Sequence, residues 1–253
     1  MWLRRGARAE ESEPYWRQRS WQWSAGFLGI AVVVGGLLAL TSPGTEDAGA
    51  DPARRPAGSG PLAGSAALKD GERPGGCTTD DRAGDRLPEA APKDLKWREI
   101  GIGRVPVSAS AGPTRFQDEV WWCFAHTPMG AALAATVIPT QMSEPGWRTV
   151  TEQQLVPGDG REMFTFMRSQ SPDRARRTDA TPASTYVGVS VLAYTREAAT
   201  VSLLIKGDQG FVATSVEVRW SGGDWKVQAG GDGSLYTEVS AVQDTNSYLL
   251  WGR

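Results

Sequence analysis

Residues 185–229 read TYVGVSVLAYTREAATVSLLIKGDQGFVATSVEVRWSGGDWKVQA, and this stretch decides the fold class. Along its first run Val187, Val189, Val191 and Ala193 occupy every second position. Val201, Leu203 and Ile205 do the same in the second run, and Val212, Thr214, Val216, Val218 and Trp220 in the third. Trp225, Val227 and Ala229 complete a fourth. Successive side chains of a strand point to opposite faces, so strict period-two alternation marks strands with one buried face. Turn-forming residues separate the later runs, at 206–210 and at Ser221-Gly222-Gly223-Asp224. An antiparallel meander is the expected result.

Upstream the period changes. Residues 118–142, DEVWWCFAHTPMGAALAATVIPTQM, place Thr127 directly before Pro128. A threonine hydroxyl can cap the orphan N–H groups of a helix, and proline suits the first turn. Met129, Leu133, Thr136 and Val137 follow at helical spacing, and Pro139 is expected to end or kink the helix. A second helical stretch covers roughly 150–156. After the turn Pro157-Gly158-Asp159-Gly160, a third holds Met163, Phe164, Phe166 and Met167. Order is expected to begin near Asp94, with LKWREIGIGRVPV at 95–107 extended and SASAGPTR at 108–115 a loop. SYLLWGR at 247–253 reads as a final strand or a docking tail. The expectation is an α+β domain over 93–253, with helices packed on one face of a curved antiparallel sheet.

The N-terminal part is different in kind. Residues 23–42 begin WSAGFLGIAVVVGGLLAL and carry no charge. A bilayer core about 30 Å thick needs roughly 20 residues of helix, so this run is expected to be a transmembrane helix. Arg4, Arg5, Arg8, Arg17 and Arg19 precede it, whereas Glu46, Asp47 and Asp51 follow before any basic residue. Basic flanks stay in the cytoplasm, which makes 1–22 a cytoplasmic leader and puts the C-terminal domain outside the cell. The leader is long and contains acids, which argues against a cleaved signal peptide. Ala31, Gly35 and Ala39 form a small-residue face of the kind that lets helices associate, so self-association of the chain is a further expectation. Half of residues 41–92 are Gly, Pro or Ala. That composition buries little surface, and 43–92 is expected to be an extended linker.

The net charge of −2 advertises no nucleic-acid partner, and none is predicted. Only five of the 27 basic residues are lysine, which suggests a GC-rich genome. Cys77 and Cys123 are the only cysteines, and outside the membrane such a pair is expected to oxidise to a disulfide. His126 is the only histidine. With Cys123 it forms C-x-x-H, but a structural zinc site needs four ligands, and a bridged cysteine is no nucleophile. A histidine here is expected to satisfy backbone groups or pack beside an aromatic ring. No G-x-S-x-G and no phosphate-binding glycine loop occurs, so no catalytic residue, metal or cofactor is assigned. Trp121 and Trp122 are expected to pack, one on the helix and one on the sheet, with an exposed ring as a candidate partner contact. Arg174, Arg176 and Arg177 form a basic run that reads as a solvated loop or a contact for an anionic polymer.

The arrangement of leader, membrane helix, tether and helices-then-meander domain, ending in VEVRWSGGDWKV, resembles the type IV secretion inner-membrane assembly factors and their Gram-positive counterparts. CFAHTPMGAALAA at 123–135 is similar to a segment of bitopic membrane proteins of actinobacterial conjugative and integrative elements. The resemblance implies a cone-shaped domain like that of nuclear transport factor two. It also implies a non-enzymatic scaffold that works with other channel or secretion proteins. A surface module binding wall polymer or a small ligand, and a hydrolase with an acid in the cone pocket, are the alternatives.

Overall fold

The computed structural model describes residues 60–65, 68–69, 71–101, 103–171, 185–207 and 209–252. They belong to one compact unit, residues 55–253. The leader, the apolar run with Ala31, Gly35 and Ala39, and the basic run Arg174, Arg176 and Arg177 lie outside the described residues. Among the described residues, no helix is long and apolar enough to cross a membrane.

Two hairpins come first: β1 (Leu95–Ile100) with β2 (Gly103–Ser108), and β3 (Arg115–Gln117) with β4 (Val120–Trp122). Three helices follow, α1 (Pro128–Gln141), α2 (Trp147–Gln154) and α3 (Asp159–Ser169). Then come β5 (Thr185–Tyr194), β6 (Ala198–Gly207), β7 (Gly210–Ser221) and β8 (Asp224–Gln228), with short β9 (Ser240–Val242) and β10 (Leu249–Leu250) closing the chain. The large sheet is antiparallel, in the order β10-β5-β6-β7-β8, and β9 also pairs with β7. Over the described residues the fold is therefore α+β, with three helices and antiparallel sheets. The C-terminal SYLLWGR supplies a strand, since Leu249 pairs with Val189.

The register lines up the alternating residues. Val191, Val201 and Val216 lie side by side across three strands, as do Val189, Leu203 and Thr214, while Val218 pairs with Val227 and Trp220 with Trp225. Two irregularities in β5, between Tyr186 and Gly188 and between Val191 and Ala193, break its alternation. A bulge inserts an unpaired residue and shifts the phase by one. Ala193, expected on the same face as Val189 and Val191, is accordingly exposed, and the Val187 carbonyl accepts the Trp251 N–H at 3.0 Å.

Helix α1 begins as its sequence dictates: Thr127 Oγ1 accepts the Gly130 N–H at 3.2 Å, and Pro128 opens the helix. Pro139 lies inside the helix, which runs on to Gln141. Every residue of α1 except Thr140 is buried. It lies against β5, β6, β7 and β8 on one side and also meets β2, β4 and α2. The two hairpins supply cover that the sheet cannot, which is why this helix is apolar all round rather than on a single stripe. Its small residues permit close approach. A side chain at Gly130 would collide with the Ala125 carbonyl. Leu133 within α1 and Phe124 just before it are fully buried and each contribute about 1.5–3 kcal/mol, and Trp147 and Trp225 are fully buried as well.

Packing starts well before Asp94. Leu62 and Ser65 are buried, and the Leu62 N–H donates to Gln153 Oε1 at 2.8 Å. Lys226 Nζ donates to Ser65 Oγ at 3.3 Å, Asp80 N–H to the Ser110 carbonyl at 2.9 Å, and Arg115 Nε to the Gly76 carbonyl at 2.5 Å. The described residues between 60 and 92 thus form a strap across the domain, not the far end of a linker. Its composition is poor in large apolar side chains because hydrogen bonds, an arginine and a disulfide hold it instead of hydrophobic burial.

Candidate functional site

The strap is held where four separate pieces of chain meet: the strap itself, the segment after β4, the β6 entry, and the β7–β8 turn. Cys77 and Cys123 are bridged, with an S–S distance of 2.07 Å. Cys123 is fully buried and sits at φ 72°, a left-handed conformation that carries the chain from β4 toward α1. The carboxylate of Asp224 stabilises that turn. Its oxygens accept the N–H groups of Cys123 at 2.7 Å, Phe124 at 2.9 Å and Trp225 at 3.0 Å. Asp224 is wholly buried, and burial raises its pKa to about 6, against the lowering pull of those three N–H donors and the nearby Arg73 charge.

Arg73 joins the strap to this turn. Its guanidinium donates to the Phe124 carbonyl at 2.6 Å, to Thr79 Oγ1 at 3.2 Å and to Asp81 Oδ2 at 3.1 Å. It also lies 2.8 Å from Cys77 Sγ, and its Cζ is 4.9 Å from the centre of the Trp220 ring. Asp81 Oδ1 in turn accepts the His126 N–H at 2.9 Å. Gly222 and Gly223, at φ 63° and 75°, make the β7–β8 turn. A side chain at Gly223 would strike the Glu72 carbonyl, so the glycine pair serves close passage of the strap.

His126 stacks on Trp220 with ring centres 3.7 Å apart and planes within 6°. Its Nε2–H donates to the Arg196 carbonyl at 2.6 Å, which leaves Nδ1 to accept from the Arg196 guanidinium at 3.3 Å. Burial holds the imidazole below its ordinary pKa, outweighing the upward pull of the carbonyl contact. A neutral ring with both nitrogens engaged is a packing element. Trp225, edge-on to Trp220 at 5.4 Å, donates its indole N–H to the Ala125 carbonyl at 2.9 Å. The cluster thus holds a bridged pair of sulfurs, an occupied imidazole and a carboxylate facing main-chain donors. This chemistry fastens chain segments together. Among the described residues no group of three or more His, Cys, Asp or Glu side chains is placed to hold a metal.

The structure brings Cys77, Cys123 and His126 into one cluster and leaves the tryptophan pair beside it. Trp122 is buried. Trp121 is half-buried, edge-on to Phe116 at 5.1 Å, with the Arg98 guanidinium 5.7 Å from its ring. Sequence reasoning missed Arg73, Asp81 and Asp224. Asp224, directly after two turn glycines, reads as an ordinary turn residue, because its partners Cys123 and Phe124 lie about 100 residues away. Nothing in the strap distinguished Arg73 from its neighbours.

An α+β domain whose N-terminal strap is held by a disulfide and an arginine, over a turn set by a buried aspartate, is the class that fold and site define. The chain belongs to the family described as domain of unknown function DUF8175, which matches residues 57–250. That span takes in the strap with the rest of the domain. No curated protein and no solved structure gives a significant match.

Proposed function

We propose that this chain is a non-enzymatic scaffold component of a conjugative DNA-transfer or type IV secretion-like apparatus. Residues 23–42 anchor it, and the clasped domain is displayed on the outer side of the membrane. The carrying observation is the Cys77–Cys123 bridge. Disulfides persist in oxidising compartments, and this bridge supports the topology drawn from the arginine leader and the acids after the apolar run. The reactive side-chain types of the cluster are committed to holding the strap, which favours a structural part over a catalyst. The cone-shaped, nuclear transport factor two-like reading of the domain belongs with this proposal. Its support is a central helix lying along a bulged antiparallel meander.

The test is genetic and biochemical together. A clean deletion is expected to abolish conjugal transfer, and the tagged full chain is expected to co-purify with a membrane ATPase or a polytopic channel protein. Normal transfer in the deletion strain refutes the assignment.

A further inference from the structure

Lys226 is the least expected residue of the buried interior. On β8 it shares a face with Asp224 and Gln228, opposite the face of Trp225 and Val227. It is only 6% exposed. A lysine carries three donors and is almost never fully buried without a paired acid. Among the described residues its one hydrogen bond goes to a neutral group, Ser65 Oγ at 3.3 Å. Burial pushes the ammonium below its ordinary pKa, Asp224 pulls it up, and Arg161 pushes it down again. Directly across the ladder stands Arg219, exposed and of the same charge. Like charges opposite each other destabilise a sheet. The acids of this face leave both cations unpaired. Asp224 is turned to the N–H groups of Cys123, Phe124 and Trp225. Among the described residues no ion pair joins Asp224 or Glu217 to Lys226 or Arg219.

The turn at residues 60–65 closes over Lys226. Two main-chain bonds shape it, from the Ala63 N–H to the Gly60 carbonyl and from the Ser65 N–H to the Leu62 carbonyl, each 3.0 Å. Leu62 and Ser65 are its buried residues. The Leu62 N–H bonds to Gln153 Oε1, and Ser65 lies against Gly222, where a side chain would meet its hydroxyl and its carbonyl. Arg73 and the disulfide fasten the strap only further along the chain. One leucine and a few hydrogen bonds therefore hold the turn. Segments with few buried apolar contacts open locally at less cost than the whole domain unfolds. Opening also returns a buried ammonium to solvent, which removes a penalty that the closed turn imposes.

An anion with several oxygens suits what is then uncovered. Charge-assisted bonds are about twice as strong as neutral ones, so a phosphate oxygen is a better partner for Lys226 than the Ser65 hydroxyl. The Arg219 guanidinium, opposite on β7, adds a fork of donors that matches phosphate geometry. We propose that Lys226 and Arg219 form a phosphate-binding site covered by the turn at 60–65, with Ser65 Oγ standing where a phosphate oxygen binds. Covering and binding are alternatives, so a phosphate-bearing ligand releases the turn.

The test follows hydrogen exchange of the full chain in neutral-detergent micelles, resolved by fragmentation mass spectrometry. Inorganic phosphate is the probe, and acetate at matched ionic strength is the control. Phosphate is expected to speed exchange at the Ala63 and Ser65 amides several-fold and to leave the β6 amides unchanged. Lys226→Met keeps the reach of the side chain without its charge, and is expected to slow exchange in the turn and abolish the response. Ser65→Ala keeps Lys226 but removes its partner, so the response is expected at lower phosphate concentration. No response in the parent, an equal response to acetate, or a full response in Lys226→Met overturns the site. An unchanged phosphate midpoint in Ser65→Ala also overturns it, because Ser65 and phosphate then do not compete for Lys226.

Discussion

Removing the disulfide is the most informative perturbation, because the bridge ties the N-terminal strap to the core. Cys77 and Cys123 are 46 residues apart in sequence. In the chain-entropy treatment, opening a loop of that length frees the unfolded ensemble by about 4 kcal/mol. For a domain of this size each kcal/mol moves Tm by about 2–4 °C, so the double variant Cys77→Ala/Cys123→Ala is expected to melt about 8–16 °C lower. Cys123 is fully buried, so its truncation also removes packing. The single variant Cys77→Ala keeps the Cys123 sulfur in place and separates the crosslink from that void. Calorimetry of both variants gives the magnitude. Hydrogen exchange at Thr78, Thr79 and Asp80 shows whether the strap opens locally before the domain melts. A Cys77→Ala variant that keeps its fold and melts within about 2 °C of the parent refutes the reasoning. The strap would then be held by Arg73 and its hydrogen bonds alone.

Three further outcomes follow from the same cluster. The folded pKa of Asp224, about 6, lies above its ordinary 3.8, so its contribution to stability is fully present below about pH 4 and is lost as pH rises through about 6. That difference corresponds to about 3 kcal/mol. Urea midpoints of the parent and Asp224→Asn are expected to converge between pH 4 and pH 7, and a gap that widens over that window contradicts the assignment. Arg73→Ala removes the bond to the Phe124 carbonyl and the ion pair with Asp81, and is expected to lose about 2–3 kcal/mol in urea titration. Arg73→Lys should recover only part of this, since an ammonium cannot reproduce the planar fork, and full recovery by lysine would count against the geometry. Gly223→Ala combines a left-handed backbone with collision against Glu72, and thermal melting should show a loss of at least about 1–2 kcal/mol. An unchanged melt would mean that the strap can move aside at this turn.

Local patterns carried far in this chain. The period-two residues of 201–229 fall in register across β6, β7 and β8, since alternation is a property of each strand by itself. The cap at Thr127 is local as well, requiring only a hydroxyl within three residues of a free N–H. The helix after it shows Met129, Leu133, Thr136 and Val137 at helical spacing, but its burial all round depends on β2 and β4, which belong to hairpins whose contact with it is not written in that spacing. The aromatic and methionine positions of α3 read as ordinary helical content. Only the assembled fold shows three of them turned outward.

The sequence by itself determined the α+β class, the four-strand meander, the start of α1 and the candidate pairing of two cysteines. Each depends on periodicity, on a short-range backbone need, or on there being only two thiols. Tertiary structure alone decided that the described residues of a stretch rich in Gly, Pro and Ala, among them Leu62, Ser65 and Arg73, form a packed strap. It also decided that Asp224 is a buried acceptor for the turn at Cys123 rather than a solvated turn residue. The physical reason is common to both. The strap and Asp224 are held by partners roughly 50 to 160 residues away in sequence, and no local composition or period records a bond made at that distance.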